Sequence, residues 1–263
     1  MKVLIVGGNG MLGPWAVKAM KKKHDLMLTD INEPPKSYDG EYKKLSVDDV
    51  DGLVKLSSGV DVIVNLSVLR EDRKLAFDVN TIGNYSIMVA ARENGIKKIV
   101  NTGPHFQLVG TQYEEWDFNL NPDMPPQPGT RLYALTKSLG QEICRVFSET
   151  YDIHVITLLY YNMKHHWDLG GPGEDGILYN ADMQVPYSTA WPDCGDAIKC
   201  AVEVPIENLN SNCESFFILP DLPHKKFDSS KTTKVLGWAP RYHLENLWNK
   251  EMRNPESHRT EAY

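Results

Sequence analysis

Cysteine is scarce in this 263-residue chain, and the four present (Cys144, Cys194, Cys200, Cys213) make no CxxC pair and no metal-ligand spacing. That excludes a zinc-ribbon or disulfide-framework protein and leaves no metal site to propose. Basic excess is also missing. The net charge is -7 and the pI near 5.6, against an electrostatic nucleic-acid binder. The one lysine run, Lys21-Lys22-Lys23, reads as the solvated last turn of a helix. No apolar run approaches a membrane span, no internal repeat or low-complexity tract occurs, and the chain starts on a strand without a signal peptide. Together these predict a reduced, cytoplasmic protein.

What is present is alternation. Strand signals occur at Lys2–Val6, Leu26–Thr29, Val60–Leu66, Lys97–Thr102 and His154–Leu159. Helical periodicity lies between them, near 11–22, 48–57, 78–94 and 131–150, with Gly95 as a C-cap. Val/Ile-rich strands alternating with helices predict an α/β fold, a Rossmann-type doubly wound parallel sheet. Composition changes near 160, where Pro, Gly and aromatic residues crowd. Residues 1–160 are therefore expected to form the nucleotide-binding core, and 161–263 a small C-terminal substrate lobe that returns to the core.

Behind the first strand, Gly7, Gly10 and Gly13 give G-x-x-G-x-x-G ahead of a helix. Such glycines allow a tight turn and close approach of backbone to a pyrophosphate at the helix N-terminus. A turn made only for packing is the competing reading. Asp30, 20 residues past Gly10 at the end of the second strand, is placed to accept both ribose hydroxyls and to repel a 2′-phosphate, so the expected cofactor is NAD.

The second constellation is "YALTK". Tyr133 and Lys137, at i and i+4, share a helix face. They lie off an apolar stripe of Leu132, Leu135, Leu139, Ile143 and Val146, which is expected to be the core face; their own stripe continues through the small Gly140 and Cys144. A phenol is a poor base at neutral pH unless a nearby cation lowers its pKa. A surface Tyr–Lys pair is the alternative.

Both motifs in this order resemble the short-chain dehydrogenase/reductase superfamily, in its extended epimerase/dehydratase branch, and within it the uronate dehydrogenases and related small sugar dehydrogenases. "DVIVNLS", "DVNTIGNYSIMVAARENGIKKIV", "LLYYNM", "PDCGDAIKCAV" and "SSKTTKVLGWAP" carry the likeness. It implies an NAD-dependent oxidoreductase acting on a small sugar, sugar acid or polyol, with catalytic Tyr133, Lys137 and Thr102, the last as hydrogen-bond donor. It implies that Met11 and Leu12 join the glycine turn and that Ile31 follows Asp30 at the cofactor. Ser46 and Val47 would flank the adenine, and Leu66, Ser67 and Val68 would line the cofactor's centre. Asn80 would stand near the active site, and Tyr161, Asn162 and Met163 at the nicotinamide end. Ser67, Arg70, His105, Asn162 and His165 are the expected substrate contacts, and the helices at 78–94 and 131–150 imply a homodimer. Asp193 and Asp196 read as caps of a helix starting near Gly195.

The sequence departs from the resemblance at three points, the mildest being Ser46 where an adenine-side aspartate is expected. The run after the fifth strand is Thr102-Gly103-Pro104, where a catalytic hydroxyl is expected, and Leu158-Leu159 stands where many relatives have an arginine. Arg70 is a candidate substitute anion clamp, or a surface ion-pair partner. An NAD-retaining epimerase or dehydratase, and a non-catalytic NAD-binding protein, are the alternative functions.

Overall fold

A computed structural model describes residues 1–108, 118–165, 187–222 and 225–242. Seven strands make one parallel sheet: β1 (Lys2–Val6), β2 (Asp25–Asp30), β3 (Glu41–Lys44), β4 (Val62–Asn65), β5 (Lys98–Pro104), β6 (His154–Tyr160) and β9 (Cys213–Ile218). Their order is β3-β2-β1-β4-β5-β6-β9, so the chain reverses direction of growth between β1 and β4. In such sheets the crevice beyond the strand C-termini at this reversal is where ligands bind. A separate two-stranded ribbon joins β7 (Asn162–Lys164) to β8 (Ser188–Ala190).

Strand alternation divides the core into two layers. Val3 and Ile5 face one side with α1 (Gly13–Met20) and α6 (Trp191–Glu203). Leu4 and Val6 face the other with α2 (Val50–Leu56), α4 (Gly83–Asn94) and α5 (Leu132–Tyr151). Since side chains on a strand alternate sides, a run as apolar as KVLIV is what a strand covered on both faces requires. A short helix α3 (Arg73–Phe77) and a π-helical turn (Asp78–Ile82) lead into α4, which Gly95 ends at φ +68°.

The expected Rossmann architecture is the observed one, with three local differences. β3 and β9 lacked a strand signal. The first, EYKK, is a polar edge strand with little burial, and the second shows its apolar residues only from Phe216 onward. The helix expected near Gly195 begins four residues earlier, at Trp191. Asp193 caps nothing. Buried in the first turn, its carboxylate accepts the backbone N–H groups of Arg241 and Tyr242, both at 3.1 Å, while Trp238 Nε1 donates to its carbonyl at 3.0 Å. The closing LGW segment is thus fastened to α6.

The third difference concerns α5. Its apolar stripe is not the core face: Leu139 and Val146 are exposed, whereas Thr136, Lys137, Gly140 and Cys144 are buried. Close approach explains the choice, because a Cβ on Gly140 would lie 2.1 Å from the Asn80 carbonyl. Only a face of small residues lets α5 pack so tightly against the turn preceding α4.

Gly13 makes a similar demand. A Cβ there would lie 2.0 Å from the Gly8 carbonyl oxygen. Gly13→Ala is expected to cost about 2 kcal/mol, seen as a lower denaturation midpoint with unchanged m-value, since the obstacle is backbone and cannot rotate aside.

Candidate active site

A cleft of about 560 Å³ opens along the C-terminal ends of β1, β4, β5 and β6. Its volume lies in the range of small-molecule and cofactor sites. One end is built by the glycine turn. The N–H groups of Gly7 and Gly8 both donate to the Thr29 carbonyl, at 2.8 and 3.1 Å, which closes the loop against β2. Gly7 has φ +78°, and a Cβ on it would lie 2.7 Å from the Ser67 nitrogen, so only glycine admits the end of β4 here. Gly10 differs. Its Cβ would meet only the Gly7 carbonyl, at 3.2 Å, and Gly10 lines the cleft; the missing side chain leaves ligand space. Met11 and Leu12 line the same wall, and the first turn of α1 carries no acidic residue to compete with a phosphate.

Asp30 ends β2 beside this turn. Its carboxylate accepts the N–H of Asn9 and that of Asn32, both at 3.1 Å. Ile31 follows, 65% exposed, which leaves an apolar side chain open beside the carboxylate. The residues present fit a dinucleotide: a side-chain-free turn for the pyrophosphate and a fixed carboxylate one strand away for the ribose.

The other end is organised by amides and an ammonium. Asn65, at the end of β4, is fully buried; its Oδ1 accepts the Ser67 N–H at 3.1 Å and hydroxyl at 2.6 Å, and its Nδ2 donates to Asn101 at 3.0 Å. This bends the chain so that Leu66 and Val68 line the cleft. Lys137 Nζ, on α5, donates to the carbonyls of Ser67 at 2.9 Å and Thr102 at 3.0 Å. Burial pushes its pKa down to about 8, with Arg70 adding repulsion. Tyr133, one turn away, also lines the cleft. Burial raises its pKa, and the charge and hydrogen bond of Arg70 oppose the rise. The cation that touches the phenol is therefore Arg70, whose Cζ stands 5.4 Å from the ring centroid. Lys137, the cation that the i, i+4 spacing sets beside the phenol, fastens α5 to the ends of β4 and β5.

Residues 3–164 match the NAD dependent epimerase/dehydratase family. The chain belongs to that family. Its cofactor is NAD. Among related sequences, the uncharacterized protein YtbQ of Bacillus subtilis is 21% identical over 95% of this chain and 98% of its own length. An NAD-dependent glucose-6-phosphate dehydrogenase of Haloferax volcanii is 24% identical over 90% and 92%. Among solved structures, uronate dehydrogenase from Agrobacterium tumefaciens shares the fold, with TM-score 0.74 at 19% identity over 97% of this chain and 89% of that one.

Within this family site, several expected residues turn elsewhere. Thr102 lines the cleft, but its hydroxyl donates to the Asn65 carbonyl at 2.8 Å, so it offers the cleft lone pairs and not the expected proton. The next position, Gly103, is filled by a neighbour: a Cβ there would lie 1.8 Å from Oε1 of buried Gln107, an atom without a hydrogen-bond partner among the described residues. The Ser67 hydroxyl is spent on Asn65, and Ser67 faces inward rather than into the cleft. Asn80 is fully buried behind the site, holding the Leu69 N–H at 3.3 Å and carbonyl at 2.7 Å and donating to Thr136 at 3.0 Å; it positions the loop that carries Arg70 and has no surface for cofactor.

Val47 is buried against Gly83, and Ser46 bonds Asp48; neither is among the described residues lining the cleft. His105 is packed away, stacked on Tyr161 with ring centroids 4.1 Å apart. Tyr161, Asn162 and Met163 do line the cleft, and Asn162 donates to Ser188 at 2.9 Å. His165 lies beside Trp191, their centroids 6.5 Å apart, and is not among the lining residues. His166 and Trp167, which with His165 read in the sequence as a sugar contact or a plain surface loop, fall outside the described residues. Phe106, Arg131 and Trp191 also line the cleft and carry no sequence motif; Pro104 and Tyr160, at the ends of β5 and β6, line it too. Arg131 immediately precedes α5, two residues before Tyr133, so its place was readable from the YALTK motif.

The depressed Lys137 pKa has a thermodynamic consequence. Between about 8 and the ordinary 10.5 the unfolded chain binds a proton that the folded chain lacks, so this lysine's penalty is full below pH 8 and is relieved as pH rises. Relative to Lys137→Met, the wild type is expected to gain about 1–2 kcal/mol of stability between pH 8 and 9.5, measured by urea unfolding.

Proposed function

We propose that this protein is an NAD-dependent oxidoreductase that moves a hydride between the carbinol carbon of a small sugar or polyol-like substrate and NAD, with Tyr133 as acid and base. The observation that carries the reading is a single cleft lined by the glycine turn at one end and by Tyr133 and Lys137 at the other. NAD, when bound, would supply the hydride acceptor in oxidation and the donor in reduction. Tyr133 Oη removes the hydroxyl proton in oxidation and returns it in reduction. Burial opposes formation of the phenolate, and Arg70 offsets part of that cost. Lys137 holds the α5 backbone at the reaction end and keeps a third N–H direction free for the cofactor's ribose. Thr102 accepts, through its lone pairs, rather than donates. Tyr161, Asn162, Met163 and Trp191 supply the substrate-side wall.

The shared fold with uronate dehydrogenase and the sequence similarity to a glucose-6-phosphate dehydrogenase support a carbohydrate substrate. The test is NADH absorbance with a panel of sugars, uronates and polyols. Net reduction with at least one of them supports dehydrogenase chemistry, whereas converted sugar without net NADH would move the reading to an NAD-retaining epimerase. Tyr133→Phe is expected to lower turnover by at least about a hundredfold while NAD still binds; near-normal turnover would remove Tyr133 from the chemistry.

We further propose a cytoplasmic homodimer. All four cysteines are free, and among the described residues no helix is long and apolar enough to cross a membrane. The exposed apolar side chains Ile82 and Tyr85 at α4 and Leu139 and Val146 on α5, each 41–48% exposed, fit a two-fold contact along these adjacent helices. Leu139→Glu is expected to convert a dimer to monomer in light-scattering chromatography; an unchanged mass would place the interface elsewhere.

A further inference from the structure

The Tyr133 end of the cleft holds more positive charge than the proton transfer requires. Arg70, Arg131 and Lys137 all line it, and no aspartate or glutamate is among the described lining residues. This occurs in a protein whose overall charge is -7. Lys137 is engaged by two carbonyls. The arginines are not so engaged. Ion pairs of arginine among the described residues are made by Arg92, Arg145 and Arg241. Arg70 lies instead over the Tyr133 ring, its Cζ 5.4 Å from the centroid, and Arg131 lies over Phe106 at the same 5.4 Å. Tyr133 and Phe106 meet edge to face with centroids 5.6 Å apart. One continuous aromatic pair therefore carries a guanidinium on each ring, and both guanidinium groups keep N–H donors for a ligand.

We propose that the substrate carries an oxyanion, a carboxylate or a phosphate ester, and that Arg70 and Arg131 hold it beside Tyr133. This rests on the reading of the cleft as an NAD-dependent redox site. A guanidinium presents a planar fork of donors matched to the two oxygens of a carboxylate or phosphate, which a lysine does not. The glycine turn at the far end is the part of the cleft assigned to the cofactor's pyrophosphate, so the arginine pair at the reaction end is left for the other reactant. Because Arg70 also contacts the phenol, an anion on it holds the rest of the substrate close to the group that exchanges the proton. Leu158 and Leu159 supply no charge, both being fully buried in β6, so anion recognition comes from the loop after β4 and the start of α5.

The test is isothermal titration of the wild-type protein, first with NAD and then, NAD-loaded, with glucose, glucuronate, glucose 6-phosphate and inorganic phosphate. Loss of NAD binding itself would sink the proposed function. With NAD bound, glucuronate or glucose 6-phosphate is expected to bind at least about tenfold tighter than glucose, and the preferred one tells carboxylate from phosphate. Arg131→Gln and Arg70→Gln are each expected to weaken that binding by at least about tenfold and to leave the Kd for NAD within about twofold. Glucose binding as tightly as its charged counterparts would overturn the proposal. So would no charged compound binding with a Kd below about 10 mM, or charged-ligand binding indifferent to both substitutions.

Discussion

Lys137 is the fastening on which the reaction end depends. Its ammonium joins α5 to the carbonyls of Ser67 and Thr102, and so to the ends of β4 and β5 at once. A buried ammonium is costly unless its donors are met, and two carbonyls aimed at one nitrogen meet them. The bond fixes the height of α5 above the sheet, and that height places Tyr133 at the cleft. It also explains why α5 turns its small residues inward. A lysine can reach the strand ends from this helix only if Gly140 lets the backbone press against the Asn80 carbonyl.

Around this fastening the site is a division of labour between charge and shape. The glycine turn contributes emptiness, the Asn65 amide contributes a bend, and Asn80 contributes the position of the Arg70 loop. None of these needs to touch a ligand in order to matter. Among the described lining residues the charged groups are cations, which suits both an anionic cofactor and the phenolate proposed for Tyr133.

Much of this was legible in the sequence because the responsible features are local. Five strands, the glycine turn, the acid at the end of β2 and the Tyr–Lys spacing are all set by short-range patterns, and the family resemblance follows from them. Three things were not legible. The buried face of α5 was misread because amphipathic periodicity assigns apolar residues to the core, whereas close packing here selects small ones and leaves Leu139 and Val146 outside. The fate of the Thr102 and Ser67 hydroxyls depends on the carbonyl and amide that β4 presents, a contact no spacing encodes. The arginine pair joins Arg70, on the loop after β4, to Arg131 at the start of α5, 61 positions later, so only the folded chain shows that both guanidinium groups stand on one aromatic pair.

The central claim is that a single cleft places the cofactor's reactive ring in front of Tyr133. A crystal structure of the protein soaked with NAD tests it most directly. The account predicts the pyrophosphate on the Gly7–Gly13 turn, the adenosine ribose on Asp30, and the nicotinamide ring within about 4 Å of the Tyr133 phenol, the separation of a reacting pair. A nicotinamide lodged away from Tyr133, or a glycine turn left without nucleotide, would contradict it.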